Sequence, residues 1–116
     1  MTNIDRVRIA MEKYDIGSVF SRSEIIEIVQ NEFPLDSFSK NSIMPSDYCY
    51  NRTNEDKLQN KKLLDFNIFE YIDKSVYKYL GENFAYNNDI IHHPKFGRPY
   101  VIGYWRYGVR TLKNSK

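Results

Sequence analysis

The hydrophobic period of the chain changes at Leu63, and this change restricts the chain to a mixed α+β fold. Within residues 3–14 apolar side chains recur every three or four positions, which is the spacing of one helix face. Beyond Leu63 the segments 69–72 and 76–80 are rich in aromatic and β-branched residues, which is typical of strands. Helices are therefore expected before this point and strands after it.

Three helices are predicted in the first half of the chain. The first covers residues 3–14. The second covers residues 22–33, because Ser21 and Glu24 have the S-x-x-E spacing of a capping box. Between them, residues 19–20 could pair as a very short strand.

The third helix rests on Pro45. Proline is tolerated in the first turn of a helix, where the amides have no intrahelical partner, so a short helix is predicted over residues 43–50. The polar residues 51–62 are predicted to form an exposed loop that is long enough to be mobile or functional. A hairpin loop is predicted at residues 73–75, and one or two further strands within residues 100–107.

Three helices followed by a hairpin is the element order of a winged helix-turn-helix. We therefore expect an α+β fold in which three helices and a β-hairpin wing form a single domain over residues 1–112, with a C-terminal β extension. Residues 113–116 are expected to form a flexible basic tail. The single cysteine excludes an intramolecular disulfide framework, and the absence of a long apolar run predicts a soluble, cytoplasmic protein.

This architecture predicts where nucleic acid would be bound. In such folds the third helix commonly enters the major groove of duplex DNA, so its polar residues would lie near base edges. The hairpin wing and the loop at residues 92–98 would lie against phosphates. The predicted contact residues are Lys40, Asn41, Ser42, Ser46, Tyr48, Asn51, Arg52, Lys74, Lys78, Lys95 and Arg98.

The charge distribution leaves two interpretations open. Residues 90–116 contain six Lys or Arg and no acid, interleaved with aromatic residues, whereas residues 1–89 contain 11 Lys or Arg and 15 Asp or Glu. A basic and aromatic segment can meet a polyanion by charge and stacking. It can equally be a last strand with a solvated basic face. Because the first 60 residues are net negative, a protein-interaction module such as an adaptor or inhibitor is the alternative function.

The sequence predicts no catalysis and no cofactor. His92, His93, Asp47 and Cys49 are the candidate metal ligands, but neighbouring histidines in a strand point to opposite faces. The five glycines are scattered, so no phosphate-binding glycine-rich loop is present. Nothing at a recognisable spacing supplies an oxyanion hole for a Cys49 nucleophile.

Several segments resemble a family of winged-helix-type domains of bacteria and their phages. The likeness extends over most of residues 16–108, and its most specific part is the Pro-Ser-Asp-x-Cys-x-Asn segment at residues 45–51. Similar stretches are the hairpin at residues 69–81 and the segment at residues 91–95. Members of that family occur alone or attached to restriction-type nucleases. The resemblance implies a small module associated with DNA, acting in regulation, restriction or phage defence, without a defined activity.

Overall fold

The computed structural model of the chain describes residues 1–113. The last three residues of the predicted basic tail, 114–116, lie outside the described residues. The helices and strands follow in the order α1 (Asn3–Met11), β1 (Val19–Ser21), α2 (Arg22–Glu32), β2 (Arg52–Thr53), α3 (Glu55–Leu58), α4 (Lys61–Asp65), β3 (Phe69–Asp73), β4 (Val76–Tyr79), β5 (Asn88–His92), β6 (Tyr100–Arg106) and β7 (Val109–Leu112). Two 3-10 turns, Lys40–Ser42 and Pro45–Tyr48, lie between α2 and β2.

The first sheet has the strand order β1-β4-β3, and all of its pairs are antiparallel. Helices α1 and α2 pack on this sheet, because their apolar faces and the strand residues form one continuous buried cluster. Val7 and Met11 from α1, Ile25 and Val29 from α2 and Phe69 from β3 are all inaccessible to solvent. This cluster is the larger of the two cores within residues 1–113.

The second sheet has the order β2-β5-β6-β7 and was not expected at this size. Only β2 and β5 are parallel, and the other pairs are antiparallel. A second buried cluster lies against it and contains Tyr50, Leu80, Tyr86, Ile90 and Trp105. The Trp105 indole N–H donates to the Tyr50 carbonyl at 2.8 Å, which joins this sheet to the segment before β2.

The predicted winged helix-turn-helix is wrong. Residues 43–50 do not form a third α-helix, and the described chain has two sheets of three and four strands in a mixed α+β arrangement. The physical reason is the burial of three consecutive side chains, Tyr48, Cys49 and Tyr50. Tyr48 and Cys49 enter the first core and Tyr50 enters the second. A helix buries one stripe, so only an extended backbone can serve both cores.

The predicted exposed loop at residues 51–62 is also wrong. This segment contains β2, α3 and the start of α4, and its most buried side chain is that of Lys57. Asn54 and Asn60 begin the two short helices, since each side chain accepts hydrogen bonds from backbone amides of the first turn. The segment is therefore part of the fold.

Local signals predicted other elements correctly. Ser21 and Glu24 form the predicted capping box at the start of α2, and β1 is the short strand expected beside it. The β3–β4 hairpin is present, with Asp73 paired to Val76 and Ser75 at φ 59° in place of a glycine. Helix α1 ends at Met11, three residues earlier than expected. Within residues 1–113 no helix is both long and apolar enough to cross a membrane.

Candidate nucleic-acid interface

Arg52 occupies a fixed position at the edge of the second sheet. The parallel pairing of β2 with β5 places Arg52 opposite Ile91 and Thr53 opposite His92. Backbone amides of Ile91 and His93 donate to the carbonyls of Asn51 and Thr53 at 3.0 and 2.8 Å. Arg52 therefore lies in β2 close to His93, the residue that directly follows β5.

The Asn51 side chain ties this edge to the first sheet. Its amide nitrogen donates to the Tyr71 carbonyl at 3.0 Å, and its Oδ1 accepts from the Tyr71 amide at 2.8 Å. These two bonds reproduce the hydrogen bonding of a β-bridge, so the strand carrying Tyr71 is held beside Arg52. We predicted Asn51 as a DNA contact, and the structure gives both of its polar atoms an internal partner.

The buried Lys57 side chain holds the segment around Asn51 and Arg52 by hydrogen bonds to its backbone. Its Nζ donates to the Cys49 carbonyl at 2.7 Å, to Asn67 Oδ1 at 2.6 Å and to the Arg52 carbonyl at 3.4 Å. Burial lowers the pKa of Lys57 to about 8, since its hydrogen-bond partners are neutral. This role could not be predicted from the sequence, because lysine is almost always exposed.

Arg52, Tyr71 and His93 form what we call the Arg52 cluster. The guanidinium carbon of Arg52 lies 4.4 Å from the centroid of the Tyr71 ring, a cation–π geometry. Arg52 Nη1 lies 3.1 Å from His93 Nε2. Burial first, and then the charges of Arg52 and His92, lower the pKa of His93. The cluster therefore presents a fixed cation at the surface, beside an imidazole that favours its neutral form.

Residues 94–99, which we call the basic loop, continue this surface beyond β5. Lys95, Phe96 and Arg98 are all exposed, and Phe96 is 83% exposed. Lys95 Nζ lies 5.9 Å from the Phe96 ring centroid, and the Lys95 amide donates to a Glu55 carboxylate oxygen at 3.4 Å. Phe96 is therefore not folded inward, which was the alternative to a contact surface.

A second group of predicted residues lies around the start of α2. Lys40 and Asn41 in the first 3-10 turn line a shallow hollow together with Arg22 and Gln30. The Arg22 amide donates to the Ser75 carbonyl at 3.0 Å, which brings the tip of the β3–β4 hairpin beside this hollow. Lys74 is exposed at that tip. Arg22 was not predicted, because helix capping alone accounted for its segment.

Most of the remaining predicted contacts have partners within the fold or are buried. Ser42 Oγ accepts from the Asn3 side chain at 3.0 Å, and Ser46 is half-buried. Tyr48 is buried, and Lys78 Nζ lies 3.9 Å from a Glu70 carboxylate oxygen. Their role as DNA contacts stays a prediction.

His92 and Cys49, two of the residues considered as metal ligands or as a nucleophile, are buried and hydrogen-bonded within the fold. His92 is buried, with its Nδ1 2.9 Å from Thr53 Oγ1. Cys49 Sγ lies 3.4 Å from the Pro45 carbonyl oxygen, and burial raises the pKa of its thiol to about 12. A protonated thiol is a poor nucleophile and a poor metal ligand. No group of three potential metal ligands occurs within residues 1–113.

Comparison with known proteins gives a family but no activity. A family model described as a domain of unknown function (DUF7225) matches residues 2–112. The chain belongs to this family. It is also 34% identical over 116 residues to the uncharacterized protein YnaC of Bacillus subtilis strain 168, an alignment that covers 99% of this chain and 41% of that protein. The chain thus spans about two-fifths of the length of the Bacillus subtilis protein. No solved structure matches the present chain.

Membership of DUF7225 agrees with the expectation of an uncharacterised family. The winged-helix part of that expectation is corrected by the sheet arrangement.

Proposed function

We propose that this DUF7225 domain binds nucleic acid, duplex DNA in particular, through contacts to backbone phosphates. The observation that carries the proposal is the pairing state of its cations. Lys40, Arg52, Lys74, Lys95 and Arg98 have no carboxylate at ion-pairing distance among the described residues. Cations without an internal partner are available to phosphates.

Some cations elsewhere on the molecule differ in this respect. Arg6, Arg8, Lys13, Lys61 and Arg110 each form an ion pair with an aspartate or glutamate. Those residues belong to α1, the turn after it, α4 and β7. The five unpaired cations named above lie near the start of α2, at the hairpin tip, in β2 and in the basic loop, and within residues 1–113 Lys62, Arg106 and Lys113 are unpaired as well. The exposed aromatic and basic residues of the basic loop beside Arg52 support a binding face there, although the net charge of the chain is only +2.

Aromatic groups add to the same face. Tyr71 lies beneath the Arg52 guanidinium, and Phe96 stands exposed between Lys95 and Arg98. A guanidinium fixed on a ring loses little side-chain freedom on binding, and an exposed ring can pack against a sugar or base.

Recognition of this kind is expected to tolerate different DNA sequences. Of the polar side chains predicted to read bases, Ser42 and Asn51 are engaged within the fold. Phosphate contacts fix position without carrying sequence information directly.

Fluorescence anisotropy with a labelled random duplex of about 20 base pairs tests the proposal. Binding is expected to be saturable at about 50 mM salt and to weaken by an order of magnitude or more at about 200 mM. Replacing Lys95 and Arg98 together by alanine should reduce the slope of log affinity against log salt by about 2. Absence of binding at the lower salt, with protein at tens of micromolar, would contradict the proposal.

A matched control removes the same charge elsewhere. Lys13 and Lys61 are exposed lysines that are ion-paired with Glu32 and Asp65. The double variant Lys13→Ala/Lys61→Ala should bind DNA with the parental salt slope. If the two double variants lost DNA affinity and salt slope equally, net charge, and not the proposed face, would control binding.

Protein docking is the second candidate function, and one surface favours it. β7 is an edge strand of the second sheet; Tyr107 just before it is 81% exposed, and Val109, its first residue, is 67% exposed. An exposed edge can accept a strand from another chain. Partner binding through this edge would depend weakly on salt, whereas phosphate contacts depend on it strongly.

The biological setting stays a prediction. The resemblance described above suggests regulation, restriction or phage defence, and a cytoplasmic location is proposed from the sequence alone. A non-catalytic role is likewise proposed from the residues, since the site offers cations and aromatic rings for binding.

A further inference from the structure

The contact between Arg52 and His93 fixes the protonation state of the imidazole. A guanidinium stays charged and can only donate hydrogen bonds. His93 Nε2, 3.1 Å from Arg52 Nη1, must therefore be the acceptor. This requirement places the ring proton on Nδ1, so His93 is neutral when it contacts Arg52.

The surroundings of His93 contain groups of both signs. Arg52 faces it from β2, and the Tyr71 ring from β3 lies 6.5 Å from the imidazole centroid. His92 precedes it in the chain and is bonded to Thr53. The open hollow beside the imidazole is lined by His93 and by Asn54, Glu55, Asp56 and Lys95.

The two acids in this hollow do not pair with His93 or Arg52 at ion-pairing distance. A Glu55 carboxylate oxygen accepts instead from the Lys95 amide.

We propose that Arg52 and His93 together bind one phosphate oxygen of the DNA backbone, and that this binding takes up a proton at His93. A proton from solvent would occupy Nε2, which would then present an N–H to the Arg52 N–H and repel it. An oxygen anion placed between the two groups accepts from both and removes this repulsion. The inference rests on the proposed function and names the site within it that responds to pH.

Proton uptake makes the affinity depend on pH in a defined direction. A bound phosphate raises the pKa of His93, whereas in the free protein Arg52 and burial lower it. At a pH between the pKa of His93 in the free protein and its pKa in the complex, His93 takes up a proton when DNA binds. The affinity for DNA therefore increases as the pH falls. The change approaches about tenfold per pH unit at most.

The test compares the parent with His93→Gln at pH 6, 7 and 8 and constant ionic strength. Glutamine offers Arg52 a neutral acceptor and takes up no proton, so it is the matched variant. For each protein the affinity for duplex DNA at pH 6 is divided by the affinity at pH 8. This ratio is expected to be several-fold larger for the parent than for the variant. In parallel, NMR titration of the parent should show the pKa of His93 raised by DNA.

The failures of the two proposals are distinguishable. If both proteins bind and change equally with pH, or if DNA leaves the titration of His93 unchanged, the proton-linked site is refuted and DNA binding stands. If neither protein binds DNA at any of the three pH values, DNA binding is refuted and the site with it. The NMR measurement uses the parent alone, so it decides the question even if the variant folds poorly.

Discussion

Replacing Lys57 by methionine is expected to destabilise the domain, and by more at pH 9 than at pH 7. The Lys57 side chain is 1% exposed, and the substitution leaves the Cys49 and Arg52 carbonyls and Asn67 Oδ1 without their donor. Each buried acceptor left without a partner costs about 1–3 kcal/mol. The parent in turn loses stability at neutral pH by burying the ammonium.

The pKa of Lys57 gives the size of that opposing effect. A value of about 8, against 10.5 for an unperturbed lysine, means that the folded state favours the neutral amine. Between these pH values the unfolded chain holds a proton that the folded chain has released, so stability rises with pH. From pH 7 to pH 9 the gain is about 1.4 kcal/mol.

The methionine variant lacks this gain. We expect the substitution to lower the free energy of unfolding by about 2 kcal/mol at pH 7 and by about 3 kcal/mol at pH 9. The loss is smaller at pH 7 because removing the buried charge there partly offsets the lost hydrogen bonds. Ionisation of Tyr77, whose pKa burial raises to about 12, lowers stability at high pH. That effect is common to both proteins and cancels in the comparison.

Urea unfolding followed by Trp105 fluorescence at the two pH values measures the difference. Lys62→Met, at an exposed lysine of α4, is the control and should change stability little at either pH. A Lys57→Met variant as stable as the parent at pH 7, or a loss that does not grow by pH 9, would refute the reasoning.

Three further substitutions test the packing around the proposed site. Asn51→Ala removes both hydrogen bonds to the Tyr71 backbone and should cost about 2 kcal/mol, measured by urea unfolding; a loss below a few tenths would show that the clamp is not needed. Gly103→Ala would place a Cβ 2.2 Å from the Thr111 carbonyl oxygen, so a loss of about 2 kcal/mol or more and a lowered Tm are expected; parental stability would contradict the β6–β7 pairing. Ser75→Gly relieves a φ of 59° at the hairpin turn and should raise the free energy of unfolding by about 0.5 kcal/mol, whereas a loss would mean that the serine side chain stabilises the turn.

Elements with local signals could be predicted from the sequence. The capping box at Ser21 and Glu24 uses atoms three residues apart, and the β3–β4 hairpin has strands separated by two residues. Both require only neighbouring residues to agree, so the sequence suffices to locate them.

Long-range interactions explain what was missed. The path of residues 48–50 depends on two separate cores. Pro45 lies at the start of the 3-10 turn Pro45–Tyr48, a position that suits proline as well as the first turn of the predicted helix would have done. The burial of Lys57 depends on Asn67, ten residues later in the chain. The polar segment at residues 51–62 has no apolar periodicity, so its sequence indicates neither the path of residues 48–50 nor the burial of Lys57.

The candidate site shows the same division. Unpaired cations such as Lys95 and Arg98 were predicted, since exposure is the ordinary state of a charged side chain. His93 and Tyr71 were missed as members, because their places beside Arg52 follow from the parallel β2–β5 pairing and from the Asn51 clamp. Neither arrangement has a signature in the local sequence.

The most direct test of the account is to locate DNA on the protein by NMR. Amide and side-chain resonances would be followed as a random duplex of about 20 base pairs is added at low salt. The account predicts that the largest shifts occur at Arg52, His93 and the basic loop, with smaller shifts at Lys40 and Lys74. Shifts confined to the ion-paired cations Arg6, Arg8, Lys13 and Lys61, or no shifts at all, would contradict this prediction.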